Sequence, residues 1–148
     1  MKLAPPERRE LAPLLAAAVG ELPAGAFAGR LAGLSERLGG EIEGSDEEAL
    51  ALFVETLAQS RRLAAEGGRT ERLLGSVYRR TARGREAAEG VEEASALLDA
   101  LAGQPLRAAG ISLVAPGTYV LNLETEGMEL RIELGPRGVG ASAAMGVS

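Results

Sequence analysis

In 148 residues the chain has no cysteine, no histidine and no tryptophan. The missing thiols exclude a disulfide framework, a zinc ribbon, an iron–sulfur cluster and a cysteine nucleophile. The missing imidazoles exclude Ser-His-Asp and Cys-His relays and any histidine-ligated metal. Aspartate is confined to Asp46 and Asp99 and asparagine to Asn122, all far apart. No hard-cation loop is expected, and the reading assigns no metal and no cofactor. With two Phe and two Tyr, aromatic content is 3%, which argues against stacking platforms for nucleobases or sugars.

Long apolar runs are also lacking. No stretch of the length a membrane helix needs is present, so no membrane span is expected. The segment from Leu11 to Val19 is apolar enough to resemble the core of a signal peptide. However, Glu7 and Glu10 stand where a signal carries positive charge, and Pro13 interrupts the run. It reads as a helix of the folded protein, and the expected location is cytoplasmic.

What the chain has in abundance is alanine and leucine, 27 and 23 residues, within an apolar fraction of 46%. Both carry little helix penalty, and a chain of this length can bury roughly 70% of its unfolded surface. The first two-thirds reads as helices divided by glycine stops. Pro5-Pro6 suits a helix start, and Pro13 is expected to kink or restart that helix near Ala12. Pro23 opens a second helix, with Phe27, Leu31, Leu34 and Leu38 on one stripe before Gly39-Gly40. Within it Gly25, Gly29 and Gly33 recur every four residues, each costing about 1 kcal/mol against Ala. Such a row suggests a flat groove for close helix packing, within the chain or against a second copy.

Ser45-Asp46-Glu47-Glu48 has the form of a capping box with Ser45 at the cap. The helix it opens is expected to run to about Glu66, burying Leu50, Phe53, Val54, Leu57 and Ala64. Thr70 is the expected cap of a fourth helix carrying Leu73, Leu74, Val77, Tyr78 and Thr81. A fifth begins near Val91, with Gly84 and Gly90 as breaks or weak points before it. Gly103-Gln104-Pro105 is a firm stop.

After Pro105 the period changes to two. Ile111, Leu113 and Ala115 alternate with Ser112 and Val114. Tyr119, Leu121 and Leu123 alternate with Val120, Asn122 and Glu124. Met128, Leu130, Ile132 and Leu134 alternate with Glu129, Arg131 and Glu133. Pro116-Gly117, Thr125-Glu126-Gly127 and Gly135-Pro136-Arg137-Gly138 are the turns, and Val139, Ala141, Ala143 and Met145 form a weaker closing strand. The Gly135–Gly140 run lacks the helix and the Gly-Lys-Ser/Thr of a phosphate loop and reads as a turn. The expected fold is α+β in a single domain. A bundle of four or five helices (1–104) precedes an antiparallel meander of three or four strands (105–148) packed on it.

Charge is unevenly spread. Residues 41–68 hold seven acids against two Arg, and residues 69–85 hold six Arg against one Glu. On a single helix over 69–85, Arg72, Arg79 and Arg83 share one face at i, i+7 and i+11, Arg80 lies about 100° away, and Arg85 completes the set. These five are the candidate partner-binding residues, for an acidic protein or nucleic acid. The competing reading is compensation between neighbouring helices. Glu124, Glu126, Glu129 and Glu133 are the only clustered carboxylates, and they alternate with the buried positions, so they are expected in water rather than at a dry catalytic site. With no catalytic constellation, the chain is expected to be a non-enzymatic interaction or assembly module, self-associating through the glycine row or an open strand edge. An adaptor using the Arg-rich segment and a carrier of a small apolar ligand are the alternatives.

Overall fold

A computed structural model describes residues 1–146, apart from the side chain of residue 64. Six helices precede four strands among these residues: α1 (Pro5–Glu21), α2 (Ala26–Arg37), α3 (Ser45–Gln59), α4 (Arg62–Ala65), α5 (Gly68–Arg80), α6 (Ala82–Leu101), β1 (Ala108–Ala115), β2 (Thr118–Glu124), β3 (Met128–Gly135) and β4 (Gly138–Met145). The class is α+β, helices first and an antiparallel meander last. The chain forms two compact units, Met1–Arg85 and Glu86–Ser148. The division falls inside α6, well before the change of sequence period at Pro105.

The N-terminal unit is a helical cluster in which α2 packs on α1 and α3, and α5 on α1 and α3. Leu11 and Leu15 of α1, Leu31 and Leu34 of α2, Leu50, Phe53, Val54 and Leu57 of α3, and Leu74 and Val77 of α5 are all buried there. The apolar stripes read from the sequence supply those of α2, α3 and α5; Leu11 and Leu15 come only from the apolar run between Leu11 and Val19. Residues 1–2 pair with 41–42: Ile42 donates its N–H to the Met1 carbonyl at 2.7 Å, and a bridge joins Lys2 to Glu41.

Several local expectations are corrected. α1 continues through Pro13 without a restart. Pro13 is exposed, so its ring adds no strain to the buried face of the helix, and the break is limited to the one backbone bond it removes. Ser45 does not cap α3. The cap position is Gly44, at φ 56°, and no side chain caps this end. Glycine takes that left-handed conformation without penalty, and Ser45 is already inside the helix. Thr70 does not cap α5 either; the cap is Gly67, and the buried Thr70 hydroxyl donates to Glu10 of α1 at 2.9 Å. α3 stops at Gln59 rather than near Glu66: Arg61 takes φ 58°, which interrupts the helix, and the short α4 begins at Arg62. Ala64, assigned to the buried face of that longer helix, lies outside the described side chains.

The Arg-rich segment 69–85 is two helices, not one. Thr81 is extended at ψ 160°, its hydroxyl donates to the Tyr78 carbonyl at 2.7 Å and accepts the Gly84 N–H at 3.0 Å. It thereby closes α5 and opens α6. Gly84 is required at this corner: a Cβ there would lie 1.9 Å from the Tyr78 carbonyl oxygen. α6 then runs unbroken through Gly84 and Gly90, starting at Ala82 rather than near Val91.

In the C-terminal unit the sheet order is β1-β2-β3-β4. The register sets Ile111, Leu121, Ile132 and Ala141 in one row, and Ala109, Leu123, Leu130 and Ala143 in the next, all on one face. That face packs on α6, where Ala94, Leu101, Leu130 and Ile132 are buried together. Thr125 holds the β2–β3 turn: its N–H donates to the Met128 carbonyl at 2.8 Å and its Oγ1 accepts the Met128 N–H at 3.1 Å.

Candidate interaction surfaces

The arginines expected to form one basic row are divided between two helices and put to different uses. Arg83 makes a two-pronged pair with Glu55 of α3, both bonds at 2.9 Å, and Tyr78 donates its hydroxyl to the same carboxylate at 2.7 Å. Burial opposes the charge on Glu55. The hydrogen bonds from Arg83 and Tyr78, with the Arg83 charge, outweigh it and hold this carboxyl below the ordinary glutamate range. Arg80 pairs with Glu7 at 2.7 Å, and Arg85 approaches Glu47 at 4.0 Å. Glu47 also accepts the Ala82 N–H at 2.6 Å, placing a carboxylate at the positive end of α6. Arg72 and Arg79 are exposed on α5, and no ion pair to either is formed among the described residues. Three of the five candidate arginines therefore neutralise acids inside the N-terminal unit. Glu55 was not singled out from the sequence; the opposite charge of adjacent helices is the signal that points to it.

The glycine row is open. A Cβ on Gly29 would meet nothing within 4 Å, one on Gly25 only the Pro23 carbonyl at 3.9 Å, and one on Gly33 only the Arg37 side chain. Gly25 stands at the cap of α2 rather than within it. Among the described residues no helix closes on the row. The close backbone approaches are made by glycines read from the sequence as breaks: Gly84 at the α5–α6 corner, and Gly90, where a Cβ would sit 2.0 Å from the Val139 carbonyl oxygen.

Among the described residues each unit has a cleft of its own. One of about 400 Å³ in the N-terminal unit is lined by Glu47, Glu48, Arg83 and Arg85 beside Gly44 and Thr81. One of about 640 Å³ in the C-terminal unit is lined by Glu86, Arg131, Glu133 and Arg137 with the Gly135–Gly138 turn. Charged side chains of both signs border each, unlike the apolar cavity a lipid-like ligand needs. Glu124, Glu126, Glu129 and Glu133 are all exposed. No group of three metal-ligating side chains occurs among the described residues.

Apolar exposure divides sharply between the units. Among the described residues ten large apolar side chains are exposed, and nine of them belong to the C-terminal unit. β1 is exposed along its whole length, with Ile111 at 67%, Leu113 at 64% and Val114 at 59%; its neighbour Tyr119 on β2 is at 46%. Geometry explains this. A helix with its side chains is about 10–12 Å wide, whereas the axes of four strands alone span about 14 Å. α6 sits tightly against β4 through Gly90 and Val139 and against Gly138 through Ala87, so its cover runs out before β1.

Charge follows the same division. Residues 86–148 carry nine acids against three Arg, yet no charged residue lies between 108 and 123. Both edge strands, β1 and β4, are uncharged, while central β3 carries Glu129, Arg131 and Glu133. Natural sheets usually arrange this the other way, guarding edges with charge. No helix is long and apolar enough to cross a membrane among the described residues. Comparison of the chain with family models, with curated proteins and with solved structures finds no match.

Proposed function

We propose that the chain is a non-enzymatic interaction or assembly module that self-associates through its C-terminal unit. The observation that carries this reading is the concentration of exposed apolar side chains, nine of ten, on a unit whose two sheet edges hold no charge. Soluble proteins seldom leave contiguous apolar surface without a partner. An open, uncharged edge supplies main-chain donors and acceptors for strand addition. The adaptor reading keeps only Arg72 and Arg79 as unpaired members of its arginine set, which leaves too little positive charge for a phosphate-binding face.

Light scattering coupled to gel filtration tests the proposal. The expected result is a mass above the 15.2 kDa of one chain at tens of micromolar, falling on dilution. A mass of one chain throughout the micromolar range sinks it.

A further inference from the structure

Resting on that reading, we infer that the partner seated on β1 is the β1 strand of a second copy, paired antiparallel about a two-fold axis at Ile111. β1 is the outer strand of the sheet, hydrogen-bonded to β2 alone, so one side of its backbone is open. It is uncharged from Ala108 to Ala115, so two copies meeting there bring no like charges together, although the unit around them is strongly acidic. That pattern suits a seam between identical strands.

The register follows from which side chains share a face. An antiparallel pair related by a two-fold axis perpendicular to the sheet must set equivalent faces together, so one residue stands opposite its own copy and the axis runs midway between the two. The β1–β2 ladder is regular from Ala108 to Leu113 and shifts between Leu113 and Ala115. Centring the pair on Ile111 keeps the seam in the regular part. It then sets Ile111 opposite Ile111 of the second copy and each Leu113 opposite an Ala109, large against small. All these side chains lie on the apolar face that α6 leaves bare. Ser112 and Gly110 face each other on the opposite side and pack without obstruction.

β4 is the weaker edge. Its residues are Gly, Ala and Ser except for Val139 and Met145, so it offers little cross-strand contact. Joining β1 to β4 would also build a head-to-tail chain rather than a closed pair. A single strand seam falls at the small end of protein interfaces, below about 1,200 Å². The dimer is therefore expected to be a reversible one.

The chain has no native cysteine, which makes the test direct. In the antiparallel pair the two Ile111 Cα atoms stand about 4.5–5.5 Å apart, within the ~4.4–6.8 Å a disulfide spans. Full-length Ile111→Cys under a mild oxidant is expected to form covalent dimers. Leu22→Cys, exposed in the N-terminal unit, is the control and is expected not to. Leu113→Asp is expected to weaken association at least tenfold by light scattering, with the circular dichroism spectrum unchanged. A dimer that survives Leu113→Asp and gives no Ile111→Cys cross-link overturns this seam while leaving the assembly reading intact. Equal cross-linking of both cysteine variants overturns it too, and a strict monomer overturns both readings.

Discussion

Gly90 of α6 and Val139 of β4 meet backbone to backbone: a Cβ on Gly90 would stand 2.0 Å from the Val139 carbonyl oxygen. No side chain intervenes, so helix and strand approach more closely there than leucine-lined surfaces allow. The same end of the sheet turns through Gly138, at φ 125°, whose own Cβ would lie 3.5 Å from Ala87. The helix is thereby drawn over β4, and β1 is left uncovered at the far side.

Gly90→Ala is expected to destabilise the C-terminal unit by about 1–3 kcal/mol, the usual cost of overpacking, because backbone on both sides must move. Gly29→Ala is the matched control. It lies inside α2 with open space around it, and removing a helical glycine there is expected to stabilise by about 0.5–1 kcal/mol. Chemical denaturation of the two variants checks both signs. A loss of stability in Gly29→Ala would instead mean that the glycine row is occupied in solution.

Gly84→Ala is expected to open the corner between α5 and α6. Its methyl would collide with the Tyr78 carbonyl, 1.9 Å away, and that carbonyl already accepts the Thr81 hydroxyl. Thr81→Val removes the hydroxyl and leaves the Gly84 N–H without its acceptor, at a cost of about 1–3 kcal/mol. Thr81→Ser keeps the bond and is expected to be milder. Hydrogen exchange is the measurement: in Gly84→Ala the amides of residues 81–85 speed up before those of α1. Unchanged protection there would show that the corner does not need glycine.

The change of period at Pro105 was legible because alternation survives wherever a sheet has one wet face and one dry one, as Leu130, Arg131, Ile132 and Glu133 illustrate. The stripe of Leu31, Leu34 and Leu38 was legible for the corresponding helical reason. The break at Thr81 was not, since Thr81 falls in step with Leu74, Val77 and Tyr78 and carries no Gly or Pro signal. Nor does a sequence distinguish a glycine that ends a helix from one that admits a neighbouring backbone; Gly84 and Gly90 are of the second kind. The apolar surface on β1 was hidden for another reason. Ile111 and Leu113 have the alternation of buried residues, and only the width of one helix against four strands reveals that nothing within the unit covers them.

Leu130→Ala is expected to cost about 2–5 kcal/mol, the usual range for emptying a buried leucine site. In the C-terminal unit Leu130 is one of four residues buried in a small core, so a loss of this size is a large share of the unit's stability. Leu50→Ala removes the same volume from the fifteen-residue buried cluster of the N-terminal unit. Hydrogen exchange is expected to report the first in the amides of β2 and β3, and the second in those of α1 and α3. Uniform loss of protection in both variants would mean that the two units unfold as one.

Acid should weaken the N-terminal unit through Glu55. Its carboxyl titrates below the ordinary range when folded, since the bonds from Arg83 and Tyr78 outweigh its burial. A carboxyl of this kind adds stability in full above its unfolded pKa, near 4.5, and loses it as the pH falls through the lower folded value. Asp46 behaves alike, held down by its hydrogen bonds from Arg37 at 2.7 Å. Glu55→Gln keeps the shape of the side chain but not its charge. It is expected to cost about 1–3 kcal/mol at neutral pH by leaving Arg83 without a carboxylate. It should also flatten the fall in stability below the ordinary carboxylate range, with the residual slope reduced again by Asp46→Asn. Denaturation midpoints measured from neutral pH down to the acid limit of folding check this. If Glu55→Gln shifted the whole curve without changing its slope, the pair with Arg83 would not be what holds this carboxyl in its charged form.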